Sequence, residues 1–393
     1  MPGVAAPAPQ PGPLLPARLL TATLGTTLNT MVMADRPEVK TASTPVTTLA
    51  VAGLASTMLT GLARVPFTRP FSGPSGILDN LGQSVTRQAV RSFMGYSMSL
   101  PIDEFRSLEK ILDDICKVVI PPFVERIDDV DLTHDELAGV PGIWCRAKDA
   151  CQGGEKITGT ILYLHGGGYI GTSPIMYAAF ASTIVERTGC EIFIADYRMA
   201  PEFPFPAPVH DAADVYRELL ARGVDPAHLI VAGDSGGGGL AASLMAYLRD
   251  HEIPKPAAVA LFSPEIDLDL DHPSITDNAA TDILPWNVPV TPYLHGVQPD
   301  DERVSIVYAD LGPAWFPPTF VTCGSDEMFR DGIREFTAAL EKGGVEVQAI
   351  EEPGMFHVYP ILMPWSEAAH TAFDALGEYV EKHVTPSAEP ATA

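Results

Sequence analysis

Two glycine-rich stretches, a histidine and a short acidic segment are the parts of this chain equipped for chemistry. Gly233-Asp234-Ser235-Gly236-Gly237 follows an apolar run, Leu229–Ala232, and precedes an amphipathic stretch, Gly236–Arg249. A serine in G-x-S-x-G between strand and helix sits on a strained turn that lifts its hydroxyl above a sheet. Flanking glycines let such a turn pass close to its neighbours. The pattern alone also describes a glycine-rich turn or a phosphate-binding loop at a helix start. The lysine-bearing phosphate-loop pattern G-x-x-x-x-G-K-[ST] is absent.

A second stretch, His165-Gly166-Gly167-Gly168-Tyr169, follows the apolar run Thr160–Leu164. Backbone N–H groups in such a loop, with the N–H of Gly236, can hold the oxyanion of a tetrahedral intermediate. Gly167 and Gly168 are the expected donors, with Gly166 a further candidate. His165 is expected to brace the loop rather than to transfer a proton. Tyr169 is expected to line a substrate cleft, with Trp286 and Tyr293 as cap-side aromatic candidates that could equally belong to the cap's core.

A serine hydroxyl needs a base. Ten histidines are available, and the order Ser, acid, His selects among them. Gly324-Ser325-Asp326-Glu327 follows the run Thr319–Cys323, and Pro353-Gly354-Met355-Phe356-His357 follows Val345–Ile350. His357 is thus the expected base. Asp326 is the expected acid that holds the imidazole tautomer, with Glu327 and Asp331 as rivals. Neither a metal nor an organic cofactor is called for.

The elements that must position these residues alternate. Apolar runs at Thr160–Leu164, Glu191–Ala195, Leu229–Ala232, Ala258–Phe262, Thr319–Cys323 and Val345–Ile350 read as strands. Helical stretches near Ile175–Arg187, Ala212–Arg222, Gly236–Arg249, Gly332–Lys342 and Ser366–His383 lie between and after them. Continuous apolar strands alternating with helices predict a mostly parallel central sheet with helices on both faces. Sites in such sheets lie at the carboxyl ends of the strands. Residues 1–17 and 386–393 read as disordered, and 18–120 as a helical extension that contributes to a cap, its clearest helix being Ile102–Val119. The catalytic domain is expected over 121–385, with a cap insertion at about 267–318.

With these residues in place, the segment from about 120 to 385 resembles the hormone-sensitive lipase-like family of α/β-hydrolases, which includes many bacterial carboxylesterases. The resemblance rests on His165–Gly168, on Asp196-Tyr197-Arg198-Met199-Ala200-Pro201-Glu202, on Gly233–Gly237, and on the Asp326 and His357 loops. It implies an α/β-hydrolase fold with a helical cap and an esterase for short-to-medium acyl chains, acting on a small-molecule ester. A long-chain lipase, a lactonase, an amidase and a non-catalytic ligand-binding protein are the alternatives. The family carries Gly-Asp-Ser-Ala-Gly at the elbow; here Gly236 replaces the alanine, and the glycines through Gly239 are expected to loosen the helix start. An ion pair between Arg198 and Glu202 is expected to fix the loop beneath the site.

The formal net charge of −25 disfavours nucleic acid and anionic lipid as partners. Five cysteines without metal spacing fit a reducing compartment and a cytoplasmic location, with a Cys145–Cys151 pairing left open. Residues 19–63 hold two weakly charged apolar stretches, so export or membrane association is the alternative location. Peripheral membrane contact through this segment and a homodimer are left open.

Overall fold

The apolar runs become the interior of an eight-stranded sheet. The computed structural model describes residues 39–67, 77–127, 129–151, 157–284, 288 and 290–384. Expectations for 1–17, for 386–393 and for Trp286 fall outside these residues. The strands are β1 (Val130–Leu137), β2 (Val140–Ala147), β3 (Thr160–Leu164), β4 (Glu191–Ala195), β5 (Leu229–Asp234), β6 (Ala258–Phe262), β7 (Thr319–Gly324) and β8 (Val347–Glu352). Their order is β1-β2-β4-β3-β5-β6-β7-β8. From β4 to β8 every pairing is parallel, while β1 and β2 join antiparallel at one edge.

This hairpin is an element the apolar pattern did not announce. β1 carries Asp131, His134, Asp135 and Glu136, and β2 carries Pro141 and Gly142. The charged residues suit β1 as the edge strand, and the Pro and Gly of β2, which lies between β1 and β4, break the apolar run that would mark it. Ala138 and Gly139 turn the hairpin, both at positive φ (52° and 83°), as a two-residue loop requires.

Helices cover both faces: α4 (Ala178–Thr188), α5 (Ala207–Ala221), α6 (Ser235–Asp250), α7 (Arg330–Gly343) and α8 (Glu367–His383). They bury two apolar clusters, one on each side of the sheet. Ahead of the sheet come α1 (Thr44–Arg64), α2 (Ile77–Ser97) and α3 (Ile102–Ile127). The third runs past Pro121 and Pro122 instead of stopping at Val119. Proline costs a helix one hydrogen bond; the burial of Val124, 0% exposed one turn on, holds the helix together. Between β6 and β7 the described residues hold only short helices, Pro273–Asp277, Thr291–Leu294 and the 3-10 turn Ile306–Tyr308, and no sheet strand. This insertion is firmly rooted, since Ile283, Tyr293, Leu294, Val304 and Ile306 are all buried in the main core.

The loop after β4 is fastened differently from the expected Arg198–Glu202 pair. Arg198 instead forks onto Asp211 of α5. Glu202 takes a bidentate pair from Arg106 of α3, at 3.0 and 2.6 Å. The same guanidinium donates to the carbonyls of Ala200 and Ile170 and to Glu109. Arg106 is 6% exposed. The sequence could not show this, because the partner lies 96 residues upstream on a helix outside the resemblance.

Removing one member of a buried pair leaves the other charge uncompensated, at a cost of about 3–5 kcal/mol. Arg106→Met is therefore expected to lower stability by about 3 kcal/mol or more in urea denaturation, and Arg198→Met by clearly less, since Arg198 is 30% exposed.

Candidate active site

The strand ends deliver the site. β5 closes on Asp234, and Ser235 follows at φ 49°, a conformation that L-residues rarely adopt. The turn points its hydroxyl at His357, with Ser235 Oγ 2.8 Å from Nε2. In the neutral imidazole the hydroxyl donates to this nitrogen. Ser235 is 8% exposed and His357 1%, so the pair is nearly shut off from water.

The other imidazole nitrogen, Nδ1, faces Glu327 Oε1 at 3.6 Å. This corrects the expectation that placed Asp326 there. Asp326 is half-buried and accepts from the Ser325 hydroxyl, and its neighbour Thr281 caps its carbonyl. The rival Asp331 pairs with Arg330 and caps Ser274. Glu327 is fully buried, and its Oε2 accepts from the Gly324 N–H (2.6 Å) and the Ser263 hydroxyl (2.7 Å). Those two donors occupy one oxygen and aim the other at the imidazole. A contact of 3.6 Å is longer than a hydrogen bond; catalytic contacts of this kind tighten when substrate is bound.

Asp282, from the insertion, was not anticipated. Its carboxylate accepts from the backbone N–H of His357 (3.0 Å), Met328 (2.7 Å) and Ile283 (2.7 Å). It thus clasps the base loop and the acid loop together. Nothing in Thr281-Asp282-Ile283 marks it in sequence. Helix α2 holds the same segment from outside, as Arg91 donates to the Asp282 carbonyl and Arg87 to that of Thr281.

Charge gathers around the imidazole. Burial alone would push the pKa of His357 down, but the carboxyls of Glu327, Asp282 and Glu265 outweigh it and hold it above the ordinary histidine value. Burial in turn pushes Asp282 up to about 6 and Glu265 up to about 7.

The glycine loop sits against the elbow. Gly166 donates its N–H to Asp234 Oδ1 at 2.8 Å, which removes it from the candidate oxyanion donors. Among the described residues no hydrogen bond uses the N–H of Gly167 or Gly168, and that of Gly236 lies in the first turn of α6, where helices leave amides unpaired. A Cβ at Gly236 would stand 3.0 Å from Tyr169 N and 3.1 Å from Gly168 Cα. Glycine in place of the family's alanine lets loop and helix approach more closely. The added glycines do not fray the helix: Gly236 to Gly239 are all buried within α6.

His165 is buried, and burial lowers its pKa to about 4, so it stays neutral. Its Nδ1 lies 2.9 Å from Thr172 Oγ1 and 3.0 Å from the Gly166 carbonyl, within the loop's own network. Tyr169 is not an open cleft wall. It is 1% exposed, stacks on Tyr293 at 3.9 Å and donates to the Glu265 carbonyl.

An eight-stranded, mostly parallel sheet carrying a serine on a positive-φ turn against a histidine defines the α/β-hydrolases. Residues 161–361 match the family profile described as alpha/beta hydrolase fold, and the chain belongs to that family. Within it the chain groups with the hormone-sensitive lipase-like esterases. It superposes on an esterase of the bacterial hormone-sensitive lipase family with a TM-score of 0.62 and 28% identity, covering 87% of this chain and 99% of that one. An acetyl-hydrolase of Streptomyces hygroscopicus is 36% identical over 56% of this chain and 75% of its own length. An esterase of Acinetobacter venetianus is 30% identical over 70% of this chain and 88% of its own.

The geometry separates the two neighbouring acids. Glu327→Ala is expected to lower kcat on a nitrophenyl ester by roughly 10³-fold or more, as loss of the histidine's acid partner does in serine hydrolases. Asp326→Ala is expected to stay within about tenfold of the parent.

Proposed function

We propose that the protein hydrolyses carboxylic esters of short-to-medium acyl chain length, with Ser235 as nucleophile, His357 as base and Glu327 as the acid behind it. The 2.8 Å contact between Ser235 Oγ and His357 Nε2 carries the reading. The enclosure of both residues supports small acyl groups over long ones.

Ser235 Oγ attacks the ester carbonyl as its proton passes to His357 Nε2. The imidazolium so formed is balanced by Glu327, and the oxyanion rests on the N–H groups of Gly167, Gly168 and Gly236. The imidazolium then protonates the leaving alcohol, and the acyl group remains on Ser235. Water, deprotonated by the same imidazole, releases the acid and restores the serine.

Ser235→Ala is expected to retain the fold by circular dichroism and lose turnover and fluorophosphonate labelling together. Wild-type turnover by that variant would overturn the assignment. Across nitrophenyl esters, kcat/KM is expected to peak below about eight acyl carbons; a maximum at longer chains favours the lipase reading. The base must be neutral to accept the proton, so kcat/KM rises with pH through the His357 pKa. Because that pKa is raised, the acid limb is expected above the ordinary histidine value, and Glu327→Gln is expected to move it down.

We also infer a peripheral membrane contact through α1. This helix carries no charge from Thr44 to Ala63 and exposes Leu49 (72%) and Leu59 (70%), with Phe67 (88%) just beyond. At about 1.5 Å per residue it is long enough to span a bilayer, yet its Gly53 and Gly61 face Tyr96 and Ser92 of α2, which favours lying on the protein's surface. The net charge of −25 favours neutral lipid. The full chain is expected to sediment with phosphatidylcholine vesicles, and a Leu49→Glu/Leu59→Glu variant to remain in the supernatant; equal sedimentation of both would remove this contact.

A further inference from the structure

The mechanism leaves two buried polar groups beside the nucleophile without work. Glu265 follows the end of β6, the position where sheets of this kind carry functional residues. Its backbone N–H donates to the Ser235 carbonyl at 2.9 Å, which ties it to the nucleophile turn. It is 1% exposed, and neither carboxyl oxygen has a hydrogen-bond partner. Its charge is felt at His357 and at Tyr293. Tyr293, brought in by the insertion, is 0% exposed, and its hydroxyl is likewise unpartnered.

Their placement is built. Tyr169 stacks on Tyr293 with rings 9° from parallel and donates its hydroxyl to the Glu265 carbonyl at 3.2 Å. A Cβ at Gly239 would fall 2.1 Å from that carbonyl and 2.2 Å from the Tyr169 hydroxyl, so glycine here is what admits the arrangement. Buried polar groups are almost always hydrogen-bonded, and orphans point to a missing partner.

We propose that Glu265 and Tyr293 form a polar subsite beside Ser235 that receives a hydroxyl group of the ester substrate. A hydroxyl can both donate to a carboxyl and accept from a phenol, so its chemistry suits either group. A carbonyl would satisfy the phenol and face the carboxyl oxygens unfavourably. An alkyl group would leave both orphaned. The hydroxyl belongs either to the acyl chain or to the alcohol, and the two sources are separable by experiment.

This subsite rests on the esterase reading. The test compares kcat/KM for nitrophenyl 3-hydroxybutyrate with nitrophenyl butyrate, and for glycerol monobutyrate with propyl butyrate. A site built to bond a hydroxyl rejects the analogue lacking it, so the parent enzyme is expected to favour the hydroxylated member of one pair by about tenfold or more. Glu265→Leu and Tyr293→Phe are each expected to bring that ratio towards one, and Glu265→Gln to keep part of it. Tyr293→Phe removes a single oxygen and carries the test if Glu265→Leu fails to fold. Turnover without preference in either pair, as expected if water alone fills the space, overturns the subsite and leaves the esterase reading intact. A preference that survives both Glu265→Leu and Tyr293→Phe overturns it equally. No turnover of any of the four esters removes the esterase reading, and the subsite with it.

Discussion

The Asp234 carboxylate lies 2% exposed at the end of β5 and accepts from the Gly166 N–H and from the hydroxyls of Tyr163 and Tyr177. Burial pushes its pKa up, and against the pull of these donors it stands at about 6. A buried carboxylate needs such partners, and each of them belongs to something the site depends on. Tyr163 is on β3, Gly166 opens the glycine loop, and Tyr177 stands just ahead of α4. The loop therefore cannot drift from the elbow without stranding a charge. Because Asp234 takes the amide of Gly166, the next two amides remain available to an oxyanion. The motif residue between glycine and serine is thus a structural fastener, and the chemistry beside it presupposes that fastening.

The parallel strands and their helices were legible in the sequence because continuous apolar runs are what a doubly covered sheet demands. Thr160–Leu164, Glu191–Ala195 and Ala258–Phe262 end where the apolar pattern ends. The β1–β2 hairpin was not legible, since the edge strand β1 buries one face and tolerates Asp and Glu, while Pro141 and Gly142 interrupt the apolar run of β2 beside it. Ser235 and His357 could be placed because each follows a strand end in a fixed order. Asp282 could not, because its carboxylate reaches the site by accepting from backbone N–H groups, from an insertion with no regular pattern. Glu265 was within reach of the strand-end rule, yet no catalytic motif contains it.

Asp326 and Glu327 show where a sequence argument loses resolution. Both follow β7, both are carboxylic acids, and one residue separates them. At a turn, consecutive side chains leave in different directions, so the choice depends on what each finds there. Glu327 finds the Gly324 amide and the Ser263 hydroxyl inside the core. Asp326 finds Ser325 at the surface side. Ser263 also accepts the Val358 N–H on its hydroxyl, which links the acid to the residue after the base. The longer glutamate side chain reaches the imidazole from the inner position.

Three carboxyls around one imidazole would be a poor design for a resting enzyme if all carried charge in a dry site. Two features relieve it. Burial raises Glu265 to about 7 and Asp282 to about 6, and Asp282 and Glu327 each have hydrogen-bond donors of their own. In the active, deprotonated form the imidazole is neutral until it takes the serine proton, and then it presents a cation to its neighbours. The attraction is accordingly strongest where the barrier lies, which is the condition for catalysis rather than mere binding. Asp282 adds a mechanical consequence. Its carboxylate holds the His357 backbone while Arg87 and Arg91 of α2 hold its segment from outside, so the N-terminal helices are coupled to the base through two short steps. The extension beyond the shared catalytic segment is therefore part of what sets the geometry at Ser235.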